Sequence, residues 1–362
     1  MRMLLRAFFL VATVALALAS TLTAQSNGAQ QDSATFDPDG TAHITRVIPM
    51  PLTISPEAQK WLESLNLESM KPQKEGPPES LAERRTHTDA WRKMDAAEAL
   101  KLYPVHIEET SMAGVRTDVI TPLIAGNNAP ESNRVLINLH GCGFDSDAGS
   151  LIEGDPIANL AKMKVVSVYY RLAPENPFPA AVDDVVAVYR ELLKTYKPHN
   201  IGIYGTSAGA ILTAEVAVRL KQLSLPLPAA LGIFPGVADF SRVGDSWQMF
   251  ALQGPPGRMA PVDPNHLPDN PYAGKTDLKD PVLSPIFADL HGMQPTLLIT
   301  STRDILLSGT TTFHRALLHA GDDAQLVVFE ALPHAFWCQF SFPETTEALQ
   351  IMANFFDQKV GW

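Results

Sequence analysis

Two cysteines in 362 residues, Cys142 and Cys338, leave room for at most one disulfide. A chain of this length buries a core large enough to fold without a covalent staple. Runs of positive charge are missing as well. The net charge is -11 and no cluster of Lys and Arg interrupts the acidic balance, so a nucleic-acid-binding surface has no electrostatic source. Metal-ligand spacing is absent: His314 and His319 stand five apart, wrong for two ligands on one helical face, and no Cys or carboxylate cluster joins them. Neither a phosphate-binding loop nor a dinucleotide fingerprint occurs, so no metal and no cofactor is implied. There is no internal repeat.

What is present is an ordinary globular composition, 46% hydrophobic and 19% charged, with a length that suits about two domains. Arg2 and Arg6 precede an apolar run from Ala7 to Ala19 that is too short to cross a bilayer but has the length of a signal-peptide core. Residues 1–24 are therefore expected to be a signal peptide cut after Ala19 or Ala24, leaving an exported chain, periplasmic or extracellular, with no stable membrane insertion. Residues 25–40, "QSNGAQQDSATFDPDG", are polar and aperiodic and read as a flexible leader. Residues 41–103 read as N-terminal cap helices. One spans 56–66, with Pro56 in its first turn behind Ser55 as cap, and a second spans 88–101 after the loop "KPQKEGPPES".

From residue 104 to 362 the pattern becomes short β-branched runs separated by helices. "PVHIEETS" and "VRTDVIT" form a hairpin at Ala113-Gly114. "RVLINLH", "KVVSVYY", "NIGIYG", "AALGIF", "PTLLITS" and "AQLVVFE" follow. The fold class is α/β: a mostly parallel eight-stranded sheet with helices on both faces. Residues 239–284, rich in Pro, Gly and Asp, read as an insertion that forms a lid with the N-terminal helices.

Ligands bind such sheets beyond the carboxyl ends of the strands. There, Gly205-Thr206-Ser207-Ala208-Gly209 joins a strand to a helix, and its small residues let Ser207 stand exposed where the helix N-terminus favours negative charge. The competing reading of Ser207 is a helix cap. A serine hydroxyl needs a base, itself oriented by a third group. Asp304 follows the strand "PTLLITS" and His334 follows "AQLVVFE", so all three stand at carboxyl ends. Asp304 also reads as a cap for the following helix. Upstream, His140-Gly141-Cys142-Gly143 ends another strand in a turn able to aim backbone N–H groups at a substrate oxygen.

"HGCGF", "YRLAPENPFPAAVDD", "GTSAGA", "SPIFADL", "TRDILLS" and "LPHAFW", in this order, resemble the bacterial hormone-sensitive-lipase-like esterases (family IV), in the subgroup with Thr before the nucleophile. The resemblance implies an α/β-hydrolase core with a helical cap, and hydrolysis of small-molecule carboxylic esters with short acyl chains. It makes Ser207 the nucleophile, His334 the base and Asp304 its orienter, with the N–H groups of Cys142, Gly143 and Ala208 as the oxyanion hole. Tyr170 to Glu175 would brace that loop. Cys142 replaces the middle one of three glycines usual in the family, Ala210 replaces another glycine, and Ser308 stands where some relatives carry a second Asp. Trp247, Met249 and Phe250 are read as helix-packing residues. Both thiols are expected to be free, Cys338 packed as a small apolar residue and Cys142 near the pocket wall. Two other functions fit the same pattern: a deacetylase for carbohydrates or xenobiotics, and a non-catalytic binding protein on the same fold. The presence of all three triad residues argues against the latter.

Overall fold

The computed structural model describes residues 32–69, 79–124, 127–128, 132–147, 150–242, 244–250 and 270–361. The expected signal peptide, the first part of the leader (residues 25–31) and the middle of the 239–284 insertion lie outside them. The chain divides into a unit ending at Met50 and a larger unit from Pro51 to Trp362.

The smaller unit corrects the reading of residues 25–40. Strand β1 (Ser33–Phe36) pairs antiparallel with β2 (Ala42–Thr45), so the boundary drawn at Gly40 falls inside a hairpin. Its turn explains why. Pro38 presets its own φ, Gly40 adopts φ +90°, and Asp39 Oδ1 accepts the Thr41 N–H at 2.9 Å. The strands are exposed throughout, so no apolar period marked them.

In the larger unit, α1 (Pro56–Ser69) starts behind Ser55, whose Oγ accepts the Ala58 N–H at 3.1 Å. Ser55 itself donates its N–H and O–H to Glu344, tying α1 to the last helix. Helix α2 (Leu81–Leu102) begins seven residues before the expected start at 88. Ser80 and Glu83 form a capping box there, and this local signal outweighs the polar character of the first two turns.

All eight expected sheet strands form: β3 (Val105–Met112), β4 (Val115–Ile124), β6 (Val135–Leu139), β7 (Lys164–Val168), β8 (Ile201–Thr206), β9 (Ala230–Phe234), β10 (Thr296–Ser301) and β11 (Ala324–Phe329). Their order is β11-β10-β9-β8-β6-β7-β4-β3, with the short β5 (Asn127–Asn128) beside β4. From β7 to β11 every pairing is parallel, while β4 runs antiparallel to both β7 and β3. Every residue of β6, β8, β9 and β10 is buried, and because successive side chains point to opposite faces, both faces are covered. The cover comes from α3 (Ser150–Ala161), α4 (Ala180–Leu192), α5 (Ala208–Gln222), α7 (Leu307–His319) and α8 (Pro343–Lys359), with α3 against α8 and α4 against α5.

The described ends of the 239–284 region differ from a simple insertion above the sheet. Helix α6 (Asp245–Phe250) docks on the start of α7, where the Ser246 and Ser308 hydroxyls each accept the other's backbone N–H, at 2.9 and 3.0 Å. Residues after Asn270 return to the core: Tyr272 is buried, stacks on Phe144 with ring centroids 3.5 Å apart and hydrogen-bonds Glu215.

Candidate active site

Ser207 occupies the turn between β8 and α5 with φ +59° and ψ −120°, a strained conformation for any residue with a Cβ. It makes no side-chain capping bond, which decides against the helix-cap reading and leaves its hydroxyl for other work. Backbone geometry enforces the turn. The Ser207 N–H donates to the carbonyls of Phe234 and Pro235, at 3.2 and 3.1 Å. A Cβ on Gly209 would lie 1.8 Å from the Leu139 carbonyl oxygen and one on Gly205 would lie 2.5 Å from Gly209, so the tight approach of α5 to β6 requires glycine at both.

His334 lies in the loop after β11. Its Nδ1 is 3.0 Å from Oδ1 of Asp304, which is fully buried. The same oxygen accepts the Leu306 N–H at 2.7 Å, so Asp304 steadies the approach to α7 and holds the imidazole at once. Ser207, Ala208, Gly143 and His334 line one cavity of about 870 Å³, with apolar walls that include Phe144, Ile211 and Val237. Trp247 also lines it, and Met249 is exposed, so these two are not the helix-packing residues expected; the side chain of Phe250 lies outside the described residues.

The glycine-rich loop passes through three successive positive φ angles: Cys142 at +72°, Gly143 at +68° and Phe144 at +68°. Several groups hold it there. Tyr170 donates its O–H to the His140 carbonyl at 2.7 Å and stacks on the His140 ring, and the Ala173 N–H donates to the Phe144 carbonyl at 2.8 Å. From α2, Arg85 donates to the carbonyls of Asp145 (2.6 Å) and Ala173 (3.0 Å) and to both oxygens of Glu175. That guanidinium holds the Glu175 carboxyl down at about 2. Arg84 pairs with Asp145 beside it. No sequence signal marked Arg84 and Arg85, because their partners lie 60 to 90 residues away.

Neither cysteine is in a disulfide. Cys338 is buried, as expected, but Cys142 departs from expectation: Gly143 and Phe144 face the cavity, while the Cys142 thiol hydrogen-bonds Thr88 of α2 and burial raises it. Its backbone sits where glycine costs nothing and a Cβ costs about 1 kcal/mol. Cys142→Gly is therefore expected to keep most activity and to melt no lower than the parent, measured by steady-state kinetics and thermal unfolding. Complete inactivation would show that the thiol itself supports the site.

A mostly parallel sheet that carries a strained serine on the turn after β8, and a carboxylate-bound histidine opening to the same cavity, defines an α/β hydrolase. Residues 136–338 match the family described as "alpha/beta hydrolase fold", and the chain belongs to that family. Within it the protein is a hormone-sensitive-lipase-like carboxylic ester hydrolase. It is 30% identical over 273 residues to an esterase of Acinetobacter venetianus, covering 70% of this chain and 84% of that protein. Identity is also 30% over 247 residues to an acetyl-hydrolase of Streptomyces hygroscopicus, over 64% of this chain and 78% of the relative. The crystal structure of an esterase from the bacterial hormone-sensitive lipase family superposes with a TM-score of 0.70 at 26% identity, covering 86% of this chain and all of that one. Another esterase crystal structure reaches a TM-score of 0.72 at 31% identity, over 87% of this chain and 98% of that one.

Proposed function

We propose that the protein is an exported serine esterase that cleaves short-chain carboxylic esters through an acyl-enzyme on Ser207. The observation that carries the reading is the pairing of His334 Nδ1 with buried Asp304 on the same cavity wall as the strained, uncapped Ser207. With Nδ1–H donated to Asp304, the imidazole keeps Nε2 as the base. Nε2 takes the Ser207 proton as Oγ attacks the ester carbonyl, and the N–H groups of Cys142, Gly143 and Ala208 receive the oxyanion. His334 then returns the proton to the departing alcohol, and a water activated in the same way releases the acid and restores Ser207. Helices α1 and α2 and the described ends of the 239–284 region form the cap in this reading.

Two observations favour short acyl chains. The Streptomyces hygroscopicus relative is named an acetyl-hydrolase, and a protein of Emericella nidulans that matches over 120 residues, 40% of its length, is named a versiconal hemiacetal acetate esterase. The test is a series of p-nitrophenyl esters of graded acyl length, with acetylated sugars included. kcat/KM is expected to be highest between acetyl and butyryl, and a preference for palmitoyl would overturn the short-chain assignment. For export, the protein recovered outside the cytoplasm of its host is expected to begin at Ser20 or Gln25; an intact Met1 in the soluble cytoplasmic fraction would overturn it.

A further inference from the structure

Beneath the Ser207 turn lies a carboxyl group that the steps above leave unused. Glu153, on α3, is 4% exposed. Asn138 Nδ2 donates to its Oε2 at 3.3 Å, and Ser167 Oγ donates to Asn138 Oδ1 at 3.2 Å, which fixes the way the amide points. Thr206, the residue before Ser207, hydrogen-bonds the Glu153 side chain as well. The Trp337 indole nitrogen is 3.3 Å from Thr206 Oγ1. An indole can only donate, so Thr206 accepts from Trp337 and its own proton goes to Glu153. The Cys338 thiol points at Oε1 from 3.9 Å.

Every one of these partners donates, which is the set that suits an ionised carboxylate. They also come from the segments that carry the active site. Asn138 is on β6, which leads into the glycine-rich loop; Thr206 is in the turn that holds Ser207; Trp337 and Cys338 are in the loop that holds His334.

We propose that Glu153 is a positioning residue for ester hydrolysis: its carboxylate holds these three segments in register and its charge favours the imidazolium that His334 becomes during the reaction. The inference rests on the Ser207–His334 reading given above. Burial raises Glu153 to about 7 against the opposing pull of its donors and of His334, so the carboxylate forms as the pH rises through neutrality. The other ionisable groups around it are His334 and Cys338 from the histidine loop, Tyr204 from β8 and Tyr170 after β7; Asp95 of α2 acts on Cys338 and Asp155 of α3 acts on Tyr204. Burial raises the Cys338 thiol and both phenols well above their ordinary values, which keeps them neutral. Asp95, raised to about 6, and Asp155, raised to about 8, titrate nearby, so the effect is assigned by comparing variants rather than from the parent curve.

In the full chain, Glu153→Gln is expected to lower kcat on the order of tenfold with KM changed less than about twofold. The acid limb of kcat/KM should move to lower pH, because the imidazolium loses a neighbouring negative charge. Thr206→Val removes the hydroxyl and keeps the shape; it should lower kcat in the same way, and the double variant should be little worse than the more impaired single one. Thr206→Ser should remain near the parent, so the Thr206 pair tests the proposal even where Glu153→Gln fails to fold. A lowered kcat with an unmoved acid limb, additive losses, or a Thr206→Ser variant as impaired as Thr206→Val would each overturn it. Unchanged kinetics in Glu153→Gln beside an inactive Ser207→Ala would sink this inference alone, whereas an active Ser207→Ala would sink the reading beneath it.

Discussion

Ser207→Ala is expected to fold as the parent does and to hydrolyse esters more slowly by on the order of 10⁴–10⁶. Folding should survive because the hydroxyl makes no capping bond and the positive φ is equally strained for either residue. The turn is held by the backbone bonds of the Ser207 N–H and by the contacts of Gly205 and Gly209, none of which involves Oγ. The rate should fall steeply because no acyl-enzyme can form, and the base and oxyanion donors that remain act only on water attack. The measurement is kcat/KM on a p-nitrophenyl ester, with circular dichroism to establish the fold. Activity within tenfold of the parent would remove Ser207 from the chemistry.

Asp304→Asn is the second large effect, and its size discriminates between two mechanisms. Where such a change in a serine protease imposes the wrong histidine tautomer, the loss is about 10⁴. Here Oδ1 receives two N–H groups, from His334 and from Leu306. The Leu306 donor is backbone and requires an acceptor, so the amide of the variant should keep its oxygen on that side. His334 then retains its Nδ1–H tautomer and loses only the negative charge that stabilises the imidazolium. A loss of on the order of 10²–10³ in kcat follows, comparable to removing one preorganised electrostatic partner from a buried site. A loss of 10⁴ or more would indicate a flipped amide. Asp322→Asn should stay near the parent, because Asp322 precedes β11 at the opposite end of the sheet, where its Oδ1 accepts the Gly292 N–H at 2.9 Å. Sensitivity at Asp322 with none at Asp304 would move the acid role elsewhere.

Much of this molecule was readable from contiguous residues. The pattern of short β-branched runs marked eight of the nine strands of the main sheet, most plainly β6, β8, β9 and β10, where burial on both faces leaves nearly unbroken apolar segments; the two-residue β5 carries no such signal. Ser207, Asp304 and His334 stood out for a related reason: each lies within a few residues past the carboxyl end of a strand, and in a parallel sheet those ends lie along one edge whatever the distance in sequence. Helix α2 starts at Leu81 rather than at 88 because the Ser80–Glu83 capping box, itself a local signal, fixes its first turn. The hairpin of residues 33–45 escaped since neither strand buries a face and only its Pro-Asp-Gly turn carries information.

Other features were decided by tertiary structure alone. Nothing near Arg85 names Asp145, Ala173 or Glu175 as its partners; α2 must first lie along the glycine-rich loop. The Cys142 thiol shows the same dependence. Its place in the sequence put it beside the reacting carbonyl, yet the positive φ at Cys142 turns the side chain toward Thr88 and leaves Gly143 to face the cavity. Nothing in the sequence around Glu153 points to its role; folding brings Asn138, Thr206, Trp337 and Cys338 around it. The physical division is one of range. Periodicity, caps and turn residues act over a few positions and are written in the chain, whereas the direction of a side chain and the partners of a buried charge depend on surfaces that exist only once distant segments have packed.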